Sequence, residues 1–370
     1  MFMYTYKTVF TLATLQFDGH YLQHLIENTE KLVALYLLPR GGGASNLYEV
    51  YHEGVLVEKK DVYSPKNLFL AYLFYYIHFF RLLFRYFEKE EKLYFVNFFW
   101  FYLFFRPITR MFRNIHYVYW IGDYWPMDTF LAKVQQFFIH YYHDRNMICL
   151  YLSDRINRKM NNGTLVHTQY KKTSMWGIDP PNISLKKRVG NEITLCHIGV
   201  LVDWQGIDLL LAVIAGDKRL KLKLIGTGNA SLMATYKRLI KEYRITDRVY
   251  FPNKFFYGKD LWTQINDCQI GMALYTVDVK SVTYYADPAK VKQYAEFGLP
   301  IIMTNAAGVA DYITKFQAGI VVTRDIHTIQ EAIHKMKNNY ELYLHGLNEF
   351  NRFFSFRTYY REIFRFMEEK

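Results

Sequence analysis

Glycines at the ends of predicted strands, and a lysine on a predicted helix, are the residues of this sequence best suited to chemistry. Gly199, Gly226 and Gly228 lie at or just beyond the ends of apolar runs typical of buried strands. Glycine there lets the backbone approach a pyrophosphate, and the following helix offers free N–H groups. Lys290 lies on a short helix ending before Gly298, and lysine is a compact phosphate-binding cation. Ordinary turns and a solvated lysine on an exposed helix are the alternatives.

The elements that must position these residues alternate between short apolar strands and longer amphipathic helices. This alternation predicts an α/β protein with parallel sheets, whose ligands bind beyond the carboxyl ends of the strands. The polar stretch 170–192 predicts a linker between two halves, and helices are predicted from about Ile326 to the end. The predicted strands are Thr8–Leu15, Leu32–Leu38, Leu93–Phe98, His116–Ile121, Met147–Tyr151, Ile193–Gly199, Leu220–Ile225, Arg248–Phe251, Ile270–Leu274 and Leu299–Met303.

Length and composition restrict the class of protein. A chain of 370 residues predicts two domains. The net charge of +12 favours anionic partners, and because no nucleic-acid-binding motif is present we expect phosphorylated substrates or acidic lipids. The three cysteines are far apart, which argues against a zinc site and fits a reducing, cytoplasmic compartment. No apolar run reaches the ~18 residues of a spanning helix, so we expect a chain that does not cross a membrane.

Three segments of the second half, taken in order, carry a family resemblance: TLCHIGVLVDWQGIDLLLAVIA, then LKLKLIGTGNASLM with ITDRVYF, then ADPAKVKQYAEFGLPIIMTNAAGVADYI. They resemble the carboxy-terminal domain of group 1 (family 4) glycosyltransferases and their GT-B relatives over about Glu192–Asp325. Upstream, Gly177 and Asp179 in SMWGIDPP match the link that opens this domain in such enzymes. The resemblance implies a GT-B fold, in which two Rossmann-like domains face an interdomain cleft.

The loop after the predicted strand Ile193–Gly199 and the helix before Gly298 depart from the family pattern. Many retaining members carry a Glu-x7-Glu motif, whereas Tyr285 and Gln293 occupy the two glutamate positions here. A basic pair in the first loop is replaced by Val200 and Gln205. The loss of the glutamates favours an inverting enzyme over a retaining one.

The remaining residues of that helix resemble the Lys-x-x-Gln-Tyr version found in xanthan-type glucuronosyltransferases. By this resemblance Lys290 contacts the donor diphosphate, Gln293 contacts the ribose or phosphate, and Tyr294 belongs to the same donor site. A lysine there offsets the charge that develops on the leaving nucleotide diphosphate. Lys292 points away from Lys290 and is expected on a solvated face.

The amino-terminal half supplies the candidates for a catalytic base. GT-B amino-terminal domains place acceptor-facing loops after their early strands, and here these loops hold Asp18, His20 and Asp123. Inverting transfer needs a base to deprotonate the acceptor hydroxyl. Asp123 is the preferred base and Asp18 the second choice, while His20 is either a base or a contact to the donor sugar. A turn-forming aspartate after a strand explains Asp123 equally well, and Ser153-Asp154-Arg155 is interpreted as a helix cap.

A long insertion, Pro39 to about Glu91, contains a predicted turn at GGGAS and then an aromatic helix. His78, Arg81 and Arg85, followed by Lys89 and Lys92, are predicted to form a basic stripe on this helix. Such a helix suits an anionic bilayer surface or a polyprenyl-diphosphate-linked acceptor. A helix packed on the sheet, with a solvated basic face, is the alternative.

These observations predict a glycosyltransferase that moves a sugar from a UDP- or GDP-sugar to a glycan or lipid-linked acceptor of the cell surface. We expect an amino-terminal acceptor domain over 1–175, a nucleotide-sugar domain over 176–345 and a returning helix over 346–370. No cofactor or metal is expected, because no Asp-x-Asp motif is present and lysine and backbone dipoles serve the diphosphate. The alternatives are a nucleotide-sugar epimerase on the same fold, and a non-catalytic basic protein that binds membranes or polyanions. The expected location is cytoplasmic, with peripheral attachment to the inner face of the cell membrane left open.

Overall fold

The architecture comes from a computed structural model, which describes residues 5–13, 20–36, 43–64, 66–87, 91–98, 113–126, 128–144, 148–180 and 190–368. The chain forms two compact units. The first contains Met1–Gly177 together with Phe356–Lys370, and the second contains Ile178–Ser355. The predicted tail from residue 346 is therefore divided, because its first ten residues belong to the second unit.

The first unit is built on an eight-stranded sheet in the order β4-β3-β2-β1-β5-β6-β7-β8. In the part of this order that runs from β2 through β1, β5, β6 and β7 to β8, every neighbouring pair is parallel. The alternation of strands and helices predicts this arrangement. The elements are β1 (Tyr6–Ala13), α1 (Tyr21–Asn28), β2 (Thr29–Tyr36), β3 (Gly43–His52), β4 (Val55–Ser64), α2 (Leu68–Tyr86), β5 (Leu93–Phe98), β6 (Ile115–Ile121), α3 (Phe130–His143), β7 (Ile148–Tyr151), α4 (Asp154–Met160) and β8 (Lys171–Thr173).

The insertion between β2 and α2 differs from its prediction. The last three residues of GGGAS begin β3 at Gly43, which forms an antiparallel hairpin with β4, and the first two lie outside the described residues. The hairpin turns at Glu53 and Gly54, whose φ angles of 51° and 76° are positive, as a two-residue hairpin turn requires. The hairpin extends the edge of the sheet beyond β2, with β3 antiparallel to it.

The second unit contains a six-stranded sheet in the order β11-β10-β9-β12-β13-β14, with every pair parallel. The order in which the chain adds strands reverses between β9 and β12. In open α/β sheets, ligands bind at such a switch point. Its elements are β9 (Ile193–Ile198), α5 (Ile207–Gly216), β10 (Leu220–Ile225), α6 (Ala230–Glu242), β11 (Val249–Tyr250), α7 (Gly258–Ile265), β12 (Ile270–Ala273), α8 (Val282–Tyr285), α9 (Ala289–Glu296), β13 (Ile301–Thr304), α10 (Val309–Lys315), β14 (Gly319–Val322), α11 (Ile326–Asn338) and α12 (Tyr340–Phe353).

Helix α13 (Phe356–Ile363) returns to the first unit and covers one face of its sheet. Tyr360 and Phe364 pack against Trp120 of β6, and the Tyr94 hydroxyl donates to the carbonyl of Phe366. Helix α1 packs on the same side as α13. Successive strand residues point to opposite faces of a sheet. The strand residues that alternate with those packed against α1 and α13 therefore point to the opposite face.

Helices α2 and α3 cover that opposite face. Phe79 of α2 packs against Phe10 and Phe95, while His143 of α3 contacts the Tyr151 hydroxyl. In the described part of the chain, no helix is both long and apolar enough to span a membrane.

Candidate functional site

The candidate site of the second unit begins with two glycine turns at the ends of β9 and β10. Gly199 and Gly226 have φ angles of 113° and 146°, a region in which residues with a Cβ are strained. A Cβ on Gly226 would lie 1.8 Å from the Gly199 carbonyl oxygen, and one on Gly228 would lie 2.1 Å from the Leu201 carbonyl oxygen. The backbones at the two glycine turns therefore lie against neighbouring carbonyl groups with no room for a side chain.

Lys290 of α9 reaches these strand ends. A Cβ on Gly199 would lie 3.5 Å from its Nζ, an ordinary van der Waals contact, so the lysine lies directly against this turn. The ammonium donates to Gln205 Oε1 at 2.7 Å, lies 3.2 Å from His197 Nε2, and sits 5.2 Å from the ring centre of Tyr275. Two of its three N–H donors thus have partners among the described residues.

The charge of Lys290 has no acidic partner among the residues that the structure describes. The side chain is only 8% exposed, and burial lowers its pKa to about 7. A buried cation without a counter-charge is unfavourable, and a bound anion would raise the pKa again. The surroundings of Lys290 therefore favour occupation by an anionic ligand, and a solvated lysine on an exposed helix is ruled out.

His197 is a site residue that the sequence analysis missed. It is the fifth residue of β9 and is fully buried, and its ring bonds to the Met272 carbonyl. Burial and the nearby Lys290 keep its pKa well below the usual value, so the imidazole is neutral and Nε2 accepts from the lysine. A histidine inside an otherwise apolar strand was the available signal.

Gln205 occupies one position of the family's basic pair and contacts Lys290 instead of carrying a charge. It ends the short 3-10 turn Asp203–Gln205, and its amide oxygen holds the Lys290 ammonium. Val200, at the other position of the pair, is exposed and contributes no charge. The following Gly206 is essential to this turn because a Cβ there would lie 2.5 Å from the Leu274 carbonyl oxygen.

Tyr294 and Gln293 occupy different surroundings on the same helix. The Tyr294 hydroxyl accepts from the Ile198 N–H at 3.1 Å and donates to the Met272 carbonyl at 3.0 Å. It is fully buried and joins the ends of β9 and β12, which places it beneath the site. Gln293 is half-buried, and its proposed contact with the ribose or phosphate stays a prediction.

Lys292 corrects one expectation about this helix. It does point away from Lys290, but it is completely buried rather than solvated. Its Nζ lies 3.6 Å from the carboxylate of Asp287 and 3.1 Å from the ring centre of Phe354. Burial lowers its pKa to about 8, although the carboxylate opposes that shift. Lys292 is therefore a structural residue that attaches α9 to α12.

This contrast yields a first prediction. Lys292→Met leaves the buried Asp287 carboxylate without its cation, so we expect the free energy of unfolding to fall by about 3–5 kcal/mol. Urea unfolding monitored by tryptophan fluorescence measures this change. The double variant Asp287→Asn, Lys292→Met removes both charges and is expected to recover most of the loss. Equal stability of Lys292→Met and wild type would contradict the assigned role.

Two of the three predicted base candidates lie just after the carboxyl ends of strands of the first unit. Asp123 follows β6 and His20 follows β1, and the two strands lie one strand apart. Asp123 is accessible to solvent, yet the surrounding protein excludes enough water to raise the pKa of its carboxyl. His20 begins α1, with its ring stacked on Phe356. Asp18 lies outside the described residues.

The predicted basic stripe on α2 is only partly present. The helix ends at Tyr86, so Lys92 lies beyond it, and Lys89 falls outside the described residues. Arg81 and Arg85 are exposed, and Arg85 pairs with Glu58 at 3.0 Å. His78 is half-buried, and burial lowers its pKa. Ser153, as interpreted, caps α4 by accepting from the Ile156 N–H.

Comparison with known families addresses the second unit. Residues 182–346 match the model of the family described as glycosyl transferases group 1. Over these residues the chain is similar to a group 1 glycosyltransferase domain. The matched residues include Gly199, Gly226 and Lys290, so the site described above lies within them. No curated protein matches the chain in sequence.

Solved structures extend the likeness to the whole chain. Sucrose-phosphate synthase from Thermosynechococcus elongatus is 12% identical, with a TM-score of 0.66 over 97% of this chain and 99% of that one. HepE from Anabaena, solved with UDP-glucose, is 12% identical, with a TM-score of 0.63 over 98% and 99%. WaaG, a glycosyltransferase involved in lipopolysaccharide biosynthesis, is 12% identical, with a TM-score of 0.54 over 98% of each chain. These likenesses show that the chain has the GT-B fold.

Proposed function

We propose that this protein transfers a sugar from a UDP-sugar to a hydroxyl of a glycan or lipid-linked acceptor. The observation that carries the proposal is Lys290, a buried cation with no acidic partner among the described residues, placed against the glycine turns of a group 1 glycosyltransferase domain. The presence of UDP-glucose in the structure of HepE supports uridine as the nucleoside of the donor.

The role of Lys290 in this reaction is electrostatic. When the bond between the sugar and the diphosphate breaks, negative charge grows on the leaving phosphate oxygen. A fixed ammonium stabilises that charge most effectively in a site that excludes water. His197 and Gln205 hold the ammonium in place beforehand, so little reorganisation is needed. Because a protein cation serves the diphosphate, the proposal includes no metal ion.

Asp123 is proposed as the base that removes the proton from the acceptor hydroxyl. Its raised pKa lies closer to neutral pH than that of an ordinary aspartate, which strengthens a general base. The proton passes to the carboxylate as the hydroxyl oxygen attacks the anomeric carbon, and UDP leaves from the opposite side with inversion. Asp18 and His20 are the alternative bases.

The proposed setting is the assembly of cell-surface polysaccharide or glycolipid. WaaG, which has the same fold over nearly its full length, is involved in lipopolysaccharide biosynthesis, and the +12 charge suits phosphorylated lipid acceptors. The Lys-x-x-Gln-Tyr likeness to glucuronosyltransferases makes UDP-glucuronic acid a candidate donor beside UDP-glucose.

A panel of nucleotide sugars tests the proposal by thermal shift. A ligand present at a hundred times its Kd stabilises the native state by about 2.7 kcal/mol, so the correct donor is expected to raise Tm by several degrees. Lys290→Met serves as the control and is expected to show no rise. Failure of every UDP- and GDP-sugar to raise Tm would contradict the proposal. Isomerisation of the donor in the absence of an acceptor would instead identify an epimerase.

A further inference from the structure

Helix α2 presents a row of apolar side chains to solvent. Leu70, Leu73, Ile77 and Phe84 are 52%, 48%, 57% and 71% exposed, and Arg81 belongs to the same row. Their spacing of three and four residues keeps them on one side of the helix. The opposite side packs on the sheet through buried residues such as Phe79. The row is therefore a second apolar face, which the fold of the first unit leaves uncovered.

Helix α3 repeats this arrangement. Phe130, Lys133, Phe137 and Tyr141 follow one another at intervals of three, four and four residues, and all are exposed. Phe137 and Tyr141 stack on each other, with ring centres 6.1 Å apart. Ala132, Gln135, Ile139 and His143 form the buried side of the helix.

Both rows lie on the same side of the sheet, because α2 and α3 cover the face opposite α1 and α13. Neither helix contains an acidic residue. Arg81 has no ion pair within the described ranges, while Arg85 is paired with Glu58 and Lys133 lies 3.9 Å from the exposed Asp128. The surface formed by Leu70, Leu73, Ile77, Arg81 and Phe84 of α2, with Phe130, Lys133, Phe137 and Tyr141 of α3, is called the α2–α3 surface below.

We propose that the α2–α3 surface binds the surface of an anionic lipid bilayer. Leu, Ile and Phe side chains enter the boundary between headgroups and acyl chains, while Arg81 and Lys133 remain at the level of the phosphates. Two exposed apolar rows interrupted by cations, without acidic residues on either helix, match the charge and polarity of such a membrane. The inference does not depend on the proposed glycosyl transfer, although a lipid-linked acceptor would be available at this surface.

Flotation with lipid vesicles tests this inference on the full-length protein. Wild type is expected to float with vesicles of 30% phosphatidylglycerol in phosphatidylcholine, and to float less with phosphatidylcholine alone. The double variant Ile77→Glu, Phe137→Glu is expected to lower the partition coefficient at least about tenfold, because charged groups resist burial in lipid. Leu342→Glu, an exposed apolar position on α12 of the second unit, is the matched control and is expected to bind like wild type.

The cationic contribution is measured separately. Arg81→Gln and Lys133→Gln are each expected to weaken binding to the anionic vesicles about fivefold, as ~1 kcal/mol per cation implies, and to leave binding to phosphatidylcholine unchanged. Wild-type affinity of the double glutamate variant, or absence of wild type from the anionic vesicles, would overturn the inference. A wild-type dimer in light scattering that the glutamate changes dissociate would also overturn it, because the surface would then belong to a second copy.

Calorimetric titration of each variant with UDP separates the two proposals. Vesicle binding without UDP binding would leave the α2–α3 surface in place and contradict the proposed function. UDP binding by the double glutamate variant, with vesicle binding lost, would show that the variant is folded and that the surface acts as inferred.

Discussion

Lys290→Met is expected to weaken UDP binding about a hundredfold while the protein stays folded. The variant removes a charge-assisted hydrogen bond to the diphosphate, and such bonds contribute about 1.5–3 kcal/mol. Methionine fits the buried space of the lysine stem, and no carboxylate in the described ranges loses its partner. The thermal stability of the free protein is therefore expected to stay near that of wild type, because the native state no longer buries an uncompensated amine. Calorimetry with UDP and thermal unfolding measure the two quantities.

Lys292→Met provides the matched control for this experiment. It lies two residues away on α9 and is equally buried, but its cation contacts Asp287 rather than the strand ends. We expect the opposite outcome, namely a large loss of stability with UDP affinity retained at a temperature where the variant is folded. If Lys290→Met instead binds UDP like wild type, Lys290 is not in the donor site and the proposed function loses its main support.

Asp123→Asn is expected to lower kcat by a factor of about 10²–10⁴, the usual contribution of a general base. The UDP affinity is expected to remain unchanged, because Asp123 is not proposed to contact the nucleotide. Asp128→Asn, at another exposed position of the first unit, is the control and is expected to retain activity. Initial rates of transfer at saturating donor, together with calorimetry, measure both effects.

The pH dependence of transfer gives the same assignment a second test. A base acts in its ionised form, so the rate is expected to fall as the pH decreases through the pKa of Asp123. Because the surrounding protein raises that pKa, the fall begins at a higher pH than an ordinary aspartate would give. Full activity of Asp123→Asn would eliminate this residue and transfer the role to Asp18 or His20.

The sequence predicted the elements whose signals are local. Leu93–Phe98 coincides with β5, and the predicted strand Ile193–Gly199 contains β9. The glycines indicated where two backbone segments approach each other too closely for any other residue. At Gly226, for example, a Cβ would lie 1.8 Å from the Gly199 carbonyl oxygen. The same local logic predicts that Lys290 contacts an anion, and this stays a prediction.

Other features depended on contacts between distant segments and could not be predicted. The burial of Lys292 results from Phe354, a residue far along the chain that lies over its ammonium. The hairpin of β3 and β4 was missed although Glu53-Gly54 is a plausible turn, because GGGAS was the stronger local signal for a loop. The sequence analysis noted only that Gln205 replaces a basic residue of the family pattern. It did not predict that the amide oxygen of Gln205 accepts a hydrogen bond from Lys290.

A crystal structure of the protein with bound UDP tests the central claim most directly. We expect the diphosphate to lie beyond the glycine turns at Gly199 and Gly226, with an oxygen of the β-phosphate within hydrogen-bond distance of Lys290 Nζ. A diphosphate bound elsewhere, with Lys290 still held only by Gln205 and His197, would contradict it.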